Sequence, residues 1–174
     1  MARTRLLGSA ALKARARKIR CVFIDIDGVM TDCKLYLTDA GEELKAVNVR
    51  DGYGMKALLK NGIQIAVISG RPSPAMQKRC EWLGIAHIYL STEDKLPAYE
   101  EVKRKLGIRD ENCAHIGDDV PDLPLFARVG LAMVPSDAHP KAVKAAHWKS
   151  VYHGGDGAIR EVADLLLTAQ GKLK

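Results

Sequence analysis

The chain has 174 residues, 47% of them apolar and 28% charged, with a formal net charge of +6; that length supports one compact domain with a sizeable core, without disulfides or a structural metal. No apolar run approaches the ~18 residues of a membrane-spanning helix and no charged-then-apolar leader precedes the first core strand, so a soluble, cytoplasmic protein with no membrane contact is expected. Nucleic-acid binding is not expected either, because seven Lys or Arg and no acid fall within residues 1–20, while the remainder holds 20 bases and 21 acids.

Residues 1–18 read as a basic, solvated N-terminal arm or helix, carrying Arg3, Arg5, Lys13, Arg15, Arg17 and Lys18. Residues 19–174 read as a single domain. Short apolar, β-rich runs recur at 21–26, 63–68, 86–90, 113–116 and 130–134, and stretches with helical spacing fill the intervals at 75–83, 96–106, 122–128, 139–146 and 158–167. This alternation predicts an α/β fold with a doubly wound parallel sheet. The interval between the first two strands is longer than a crossover needs. Residues 34–37 and 44–49 suit extended chain, and Thr38-Asp39-Ala40-Gly41 suits a turn, so a protruding β-hairpin is predicted at about 33–49. A C-terminal tail covers about 152–174. The four cysteines (Cys21, Cys33, Cys80, Cys113) form no CxxC pair and read as core residues in a reducing compartment.

Each of four predicted strands leads into a functional group. Asp25 and Asp27 follow the first, Ser69 the second, Lys95 the third, and Asp118, Asp119 and Asp122 the fourth. Open α/β sheets bind ligands at this edge. Taken alone, Asp25-Ile26-Asp27-Gly28 can be a strand and an Asp-Gly turn, and Gly117-Asp118-Asp119-Val120-Pro121-Asp122 can be a turn and helix cap. Together they crowd carboxylates at the end of a buried strand, where unpaired charge is costly, so a cation is required. Oxygen-only ligands with no His or Cys in the motif select a hard ion, and magnesium is expected.

The motifs Asp25-Ile26-Asp27-Gly28-Val29-Met30-Thr31, Ser69-Gly70-Arg71, Lys95 and Gly117-Asp118-Asp119-Val120-Pro121-Asp122 resemble, in order, those of the haloacid dehalogenase (HAD) superfamily of phosphotransferases. The resemblance covers residue 18 onward. It narrows to the 3-deoxy-D-manno-octulosonate 8-phosphate phosphatases through Gly41-Glu42-Glu43-Leu44-Lys45, Asn48-Val49-Arg50-Asp51-Gly52-Tyr53-Gly54, Ser136-Asp137-Ala138-His139-Pro140 and Gly154-Gly155-Asp156-Gly157-Ala158-Ile159-Arg160-Glu161.

The resemblance implies a Rossmann-like core with a hairpin in place of a full cap, and a magnesium-dependent phosphomonoesterase acting in lipopolysaccharide precursor synthesis. Asp25 would be the nucleophile and Asp27 the acid and base. Asp25, the Asp27 carbonyl and Asp118 would hold magnesium, with Asp119 and Asp122 behind them. Ser69 and Lys95 would bind the phosphoryl oxygens, and Arg50, Arg71 and Arg79 are candidates for the substrate carboxylate. A homotetramer is implied, in which Arg160 and the Gly154-Gly155 turn could reach a neighbour's site. Two rival readings remain: a phosphatase of nine-carbon sugar acids, and a receiver-like signalling module. The latter would place its acid pair first and would lack the base at Asp27.

Overall fold

The structure, a computed structural model, describes residues 6–173; Arg3 and Arg5 of the basic arm and Lys174 of the expected tail lie outside the described residues. The elements in chain order are α1 (Ser9–Ala16), β1 (Cys21–Ile24), a tight turn (Ile26–Met30), β2 (Tyr36–Leu37), β3 (Glu43–Leu44), α2 (Val49–Lys60), β4 (Gln64–Ile68), α3 (Pro74–Leu83), β5 (His87–Tyr89), α4 (Lys95–Leu106), β6 (Cys113–Ile116), α5 (Leu123–Phe126), β7 (Leu131–Val134), α6 (Pro140–Ala145), β8 (Trp148–Lys149) and α7 (Ala158–Ala169).

Among the described residues, six strands form one parallel sheet in the order β5-β4-β1-β6-β7-β8. Strand β1 is central, in register with β4 (Ile24 beside Val67) and with β6 (Ile24 beside Ile116). The chain first builds outward through β4 and β5, then returns to the other side of β1. This reversal opens a crevice beyond the carboxyl ends of β1, β4 and β6.

The pleat sorts the core. Val22, Ile24, Ile65, Val67, Ala114 and Ile116 face α2, α3 and α7, whereas Cys21, Phe23, Ala66, Ile68 and Cys113 face α4, α5 and α6. Both faces are covered, so the strands read as continuous apolar runs rather than as alternating ones.

Four local expectations need correction. Strand β1 stops at Ile24, because Asp25 and Ile26 leave the sheet for the turn. Helix α2 occupies a stretch read partly as extended chain. Val49 and two glycines hid it, yet Asn48 caps it by accepting the Arg50 N–H at 2.8 Å. The glycines have a packing reason, since a Cβ at Gly54 would lie 3.0 Å from the Arg160 Cα of α7. The hairpin is smaller than expected, with only Tyr36 opposite Leu44 and Leu37 opposite Glu43. Finally, the arm is docked rather than free: Leu12 packs on the core, Ala16 and Ile19 are buried, and Arg17 Nε donates to the Ala169 carbonyl at 3.2 Å. The two-residue edge strand β8 carried no readable pattern. Among the described residues, no helix is long and apolar enough to cross a membrane.

Candidate active site

The carboxyl edge of the sheet brings Asp25, Asp27, Ser69, Arg71, Glu93 and Lys95 around a crevice of about 410 Å³. Asp25 is fixed at both ends, by its N–H donating to the Ile116 carbonyl at 3.1 Å and by its Oδ1 accepting the Ile26 N–H at 2.8 Å. The turn after it is closed by Gly28, whose φ of +82° suits glycine. A Cβ there would lie 2.1 Å from Asp118 Oδ2, so only glycine lets this turn pass the β6 loop.

Ligand oxygens of Asp25, Asp118 and Asp122 lie within 4.8 Å of one another. Burial, the charge of Asp122 and an opposing pull from Lys95 leave the Asp25 carboxyl pushed up to about 6. Burial and the charges of Asp25, Asp122 and Asp119 push Asp118 up to about 8. Asp122 behaves oppositely. Burial raises it, but hydrogen bonds and charge from His115 and Lys95 hold it well below the usual carboxylate range. Its Oδ1 accepts from Lys95 at 2.6 Å, and its Oδ2 accepts the Asp118 and Asp119 N–H groups at 2.9 and 3.3 Å. Asp122 is therefore fully engaged, and Asp25 and Asp118 are the carboxylates left facing each other without enough positive charge. The donor set is all oxygen, and two mutually repelling carboxylates gain from a divalent cation, so these residues fit magnesium.

Lys95, 4% exposed at the first turn of α4, reaches Asp25 Oδ2 at 3.0 Å. Desolvation lowers its affinity for a proton, but Asp25 and Asp122 more than reverse this, so it stays an ammonium. Ser69 is 2% exposed at the end of β4, with its Oγ accepting the Arg71 N–H at 3.3 Å.

Two residues to which the motifs assigned no role pair with residues that line the crevice. Lys45 of the hairpin, its side chain only 2% exposed, lies 2.5 Å from Asp27 Oδ1 and 3.3 Å from Glu43, and Glu43 pairs with Arg71 at 2.7 Å. The hairpin is thus tied over the crevice by alternating charges. The signal was present in Glu43-Leu44-Lys45, but nothing in the sequence specified which charges it would meet.

Other expected residues lie apart. Asp119 caps the short turn into α5, its Oδ1 accepting the Val120 N–H at 2.7 Å. Arg79 is packed under Gly52, where a Cβ would lie 2.4 Å from its guanidinium. Arg50 and Arg160 line a separate cavity of about 250 Å³, with Arg160 Nε bound to Asp164 and its guanidinium over Tyr53. The Gly154-Gly155 turn packs on the chain's own site loop, the Gly155 N–H donating to the Val29 carbonyl at 2.9 Å. A larger cavity of about 890 Å³ lies at the opposite edge of the sheet, where α1, α2, α4 and α7 end. Lys172 Nζ on the Asn61 carbonyl at 2.9 Å and Arg17 Nε on the Ala169 carbonyl at 3.2 Å face helix carbonyl ends, as the helix dipole favours, while Lys18 and Arg109 pair with Glu111.

Comparison with known proteins is consistent with this geometry. Residues 49–130 match the sequence model of the haloacid dehalogenase-like hydrolases. The chain is 46% identical over 165 residues to the 3-deoxy-D-manno-octulosonate 8-phosphate phosphatase of Escherichia coli (strain K12), covering 95% of this chain and 88% of the relative. The crystal structure of the Yersinia pestis 3-deoxy-D-manno-octulosonate 8-phosphate phosphatase superposes with a TM-score of 0.92 at 46% identity, covering 94% of this chain and 88% of that one. That of Moraxella catarrhalis, in complex with magnesium, phosphate and a KDO molecule, superposes with a TM-score of 0.91 at 35% identity, covering 94% of both chains.

Proposed function

The chain belongs to the haloacid dehalogenase-like hydrolases, among the 3-deoxy-D-manno-octulosonate 8-phosphate phosphatases, and from that premise we propose how its residues divide the work of hydrolysing that sugar acid phosphate. The observation that carries the assignment is Asp25 itself, a buried carboxylate at the centre of the switch point with Lys95 on one oxygen and Asp118 within reach.

Asp25 attacks phosphorus, and the bond to the sugar oxygen breaks. Asp27 donates its proton to that leaving oxygen, then takes one from the water that attacks the aspartyl phosphate, releasing phosphate and restoring Asp25. Ser69 and Lys95 bind the non-bridging oxygens, and Lys95 offsets charge as it builds on the transferring group. Arg71 and Lys45 supply cations at the mouth for the substrate carboxylate. Asp25, Asp118 and the Asp27 carbonyl would hold magnesium, which when bound neutralises phosphoryl charge and orients the phosphate. Asp122 holds Lys95 and the β6 loop in place.

Leu37 and Leu44 of the hairpin and Val49 and Tyr53 of α2 are exposed by 58–79%, an apolar surface that supports self-association into the homotetramer. Arg50 and Arg160 are then assigned to a neighbour's crevice, since they lie outside their own. Mixed oligomers of Arg160→Ala and Asp25→Asn chains should regain activity that neither has alone; no recovery overturns that assignment. For the substrate, phosphate release from 3-deoxy-D-manno-octulosonate 8-phosphate should exceed that from nine-carbon sugar acid phosphates in the same assay. A preference of about ten-fold for the latter, or ~1.4 kcal/mol of transition-state binding, would reverse the assignment.

A further inference from the structure

His115 belongs to no motif and does not line the crevice, yet it is fully buried on β6, three residues before Asp118. Its ring packs against Phe126, with centroids 5.3 Å apart. Nε2 lies 2.8 Å from Asp122 Oδ1, and Nδ1 lies 3.1 Å from the carbonyl oxygen of Phe23 on the neighbouring strand. Both partners are acceptors. A neutral imidazole has one donor nitrogen and one acceptor nitrogen, so it can serve only one of them; the imidazolium serves both. The Phe23 carbonyl has no proton to give, and Asp122, with an ammonium and two backbone N–H groups on its oxygens, is held as a carboxylate.

We propose that His115 is a positioning residue, an imidazolium that donates to both Phe23 and Asp122 and so locks Asp122 in the orientation that presses Lys95 against Asp25. This rests on the reading of Asp25 as the nucleophile. Asp122 Oδ1 receives His115 and Lys95 together, while Oδ2 receives the loop that carries Asp118. One carboxylate therefore sets both the ammonium that faces the nucleophile and the backbone of the proposed metal loop, and His115 sets that carboxylate.

The imidazolium also changes the charge of the site. Asp25, Asp118 and Asp122 as carboxylates face Lys95 and His115, leaving a single net negative charge. A divalent cation turns that into a single positive charge, suited to an approaching phosphate dianion. With a neutral ring the same cluster would be neutral when loaded. A histidine that merely filled space on this face would need no partner at Nε2, whereas this one meets the carboxylate that, among the described residues, shares Lys95 with the proposed nucleophile.

The test uses the full-length, magnesium-loaded protein. In nitrogen-15 NMR at neutral pH, both ring nitrogens of His115, assigned by their loss in His115→Gln, should carry the protonated signature. One unprotonated ring nitrogen overturns the proposal. His115→Phe keeps the packing on Phe126 and removes both donors, so kcat should fall roughly 10- to 100-fold, as for other partners that orient a site group. KM should change less than about three-fold, because substrate contacts are untouched. His115→Gln keeps an N–H for Asp122 without the charge and should fall between the two. If both variants fold and keep kcat within about two-fold of the parent, the positioning role is overturned, whatever their melting temperatures do. Should His115→Phe fail to fold, the ring signature of the unmodified protein decides. Asp25→Asn assayed alongside separates the failures: turnover there overturns the nucleophile reading, while an inactive Asp25→Asn beside normal His115 variants overturns this inference alone.

Discussion

Two charged clusters sit at opposite edges of the same sheet, and Asp25 and Asp118 in one are pushed in the opposite direction from Asp110 in the other. At the carboxyl edge, burial and like charge raise Asp25 to about 6 and Asp118 to about 8. At the amino edge, in the short turn before β6, burial also raises Asp110, but Lys103, Tyr99 and Arg128 outweigh it and hold its carboxyl below the usual range. Cations surround the acid in one cluster, and acids outnumber cations in the other. The first arrangement is complete as it stands and stabilises the fold. The second is under electrostatic stress that a metal and a phosphoryl group relieve, which is what marks a working site.

The largest expected effect comes from removing Asp25, the proposed nucleophile. Asp25→Asn should lower kcat by roughly 10³-fold or more while the protein stays folded, since a neutral amide cannot carry the phosphoryl group. Circular dichroism and a phosphate-release assay check both halves. Turnover within about ten-fold of the parent would sink covalent catalysis at this residue.

Asp118→Asn sharpens the contrast because it should act on two quantities with opposite signs. Magnesium affinity should fall roughly 10- to 100-fold, since one of two facing carboxylates is lost. The metal-free protein should become more thermally stable, because a buried like-charge contact disappears. Calorimetry with and without magnesium measures both. An equivalent substitution at Asp110 should do neither.

Acidity probes the same stress without mutation. Asp25 and Asp118 bind protons more tightly in the folded chain than in the unfolded one, so between about pH 4 and about pH 8 the folded state holds more protons. Their contribution to stability therefore declines as pH rises through that window. The melting temperature of metal-free protein should fall from pH 5 to pH 8 by this contribution, and added magnesium should raise it more at pH 8, where the proposed ligands are already ionised. A magnesium effect larger at pH 5 would contradict the assignment of these ligands.

Much of the fold and one side of this contrast were legible in the sequence, and the reason is physical. The five longer strands announced themselves as apolar runs because both faces of the sheet are covered, and the acids were visible because each follows directly on such a run. What stayed hidden depended on chain segments meeting at a distance. Lys45 meets Asp27 only because the hairpin folds back over the crevice, and His115 meets Asp122 only because the β6 loop turns through Gly117. A histidine among Cys113, Ala114 and Ile116 carries no local signal. Helix α2 was obscured by glycines chosen for contact with Arg79 and α7 rather than for helix propensity. The cation-rich Asp110 cluster was equally invisible, as its members come from α4, the segment that follows α5 and the loop between α4 and β6.

That second cluster supplies the smallest effect and the control for all the others. Asp110 accepts the Tyr99 hydroxyl at 2.8 Å and Arg128 Nε at 3.2 Å, and it pairs with Lys103. Because it is partly open to solvent, screening limits the worth of these pairs, and Asp110→Ala should cost about 1 kcal/mol, much of it from leaving the Tyr99 hydroxyl without its acceptor. For a chain of this size that is a melting-temperature drop of roughly 2–4 °C. Both kcat and magnesium affinity should match the parent within about two-fold, because the length of β6 separates Asp110 from the crevice. A loss of activity beyond the loss of folded protein would mean that the two edges of the sheet are coupled. The raised Asp25 and Asp118 and the lowered Asp110 would then report one network rather than two.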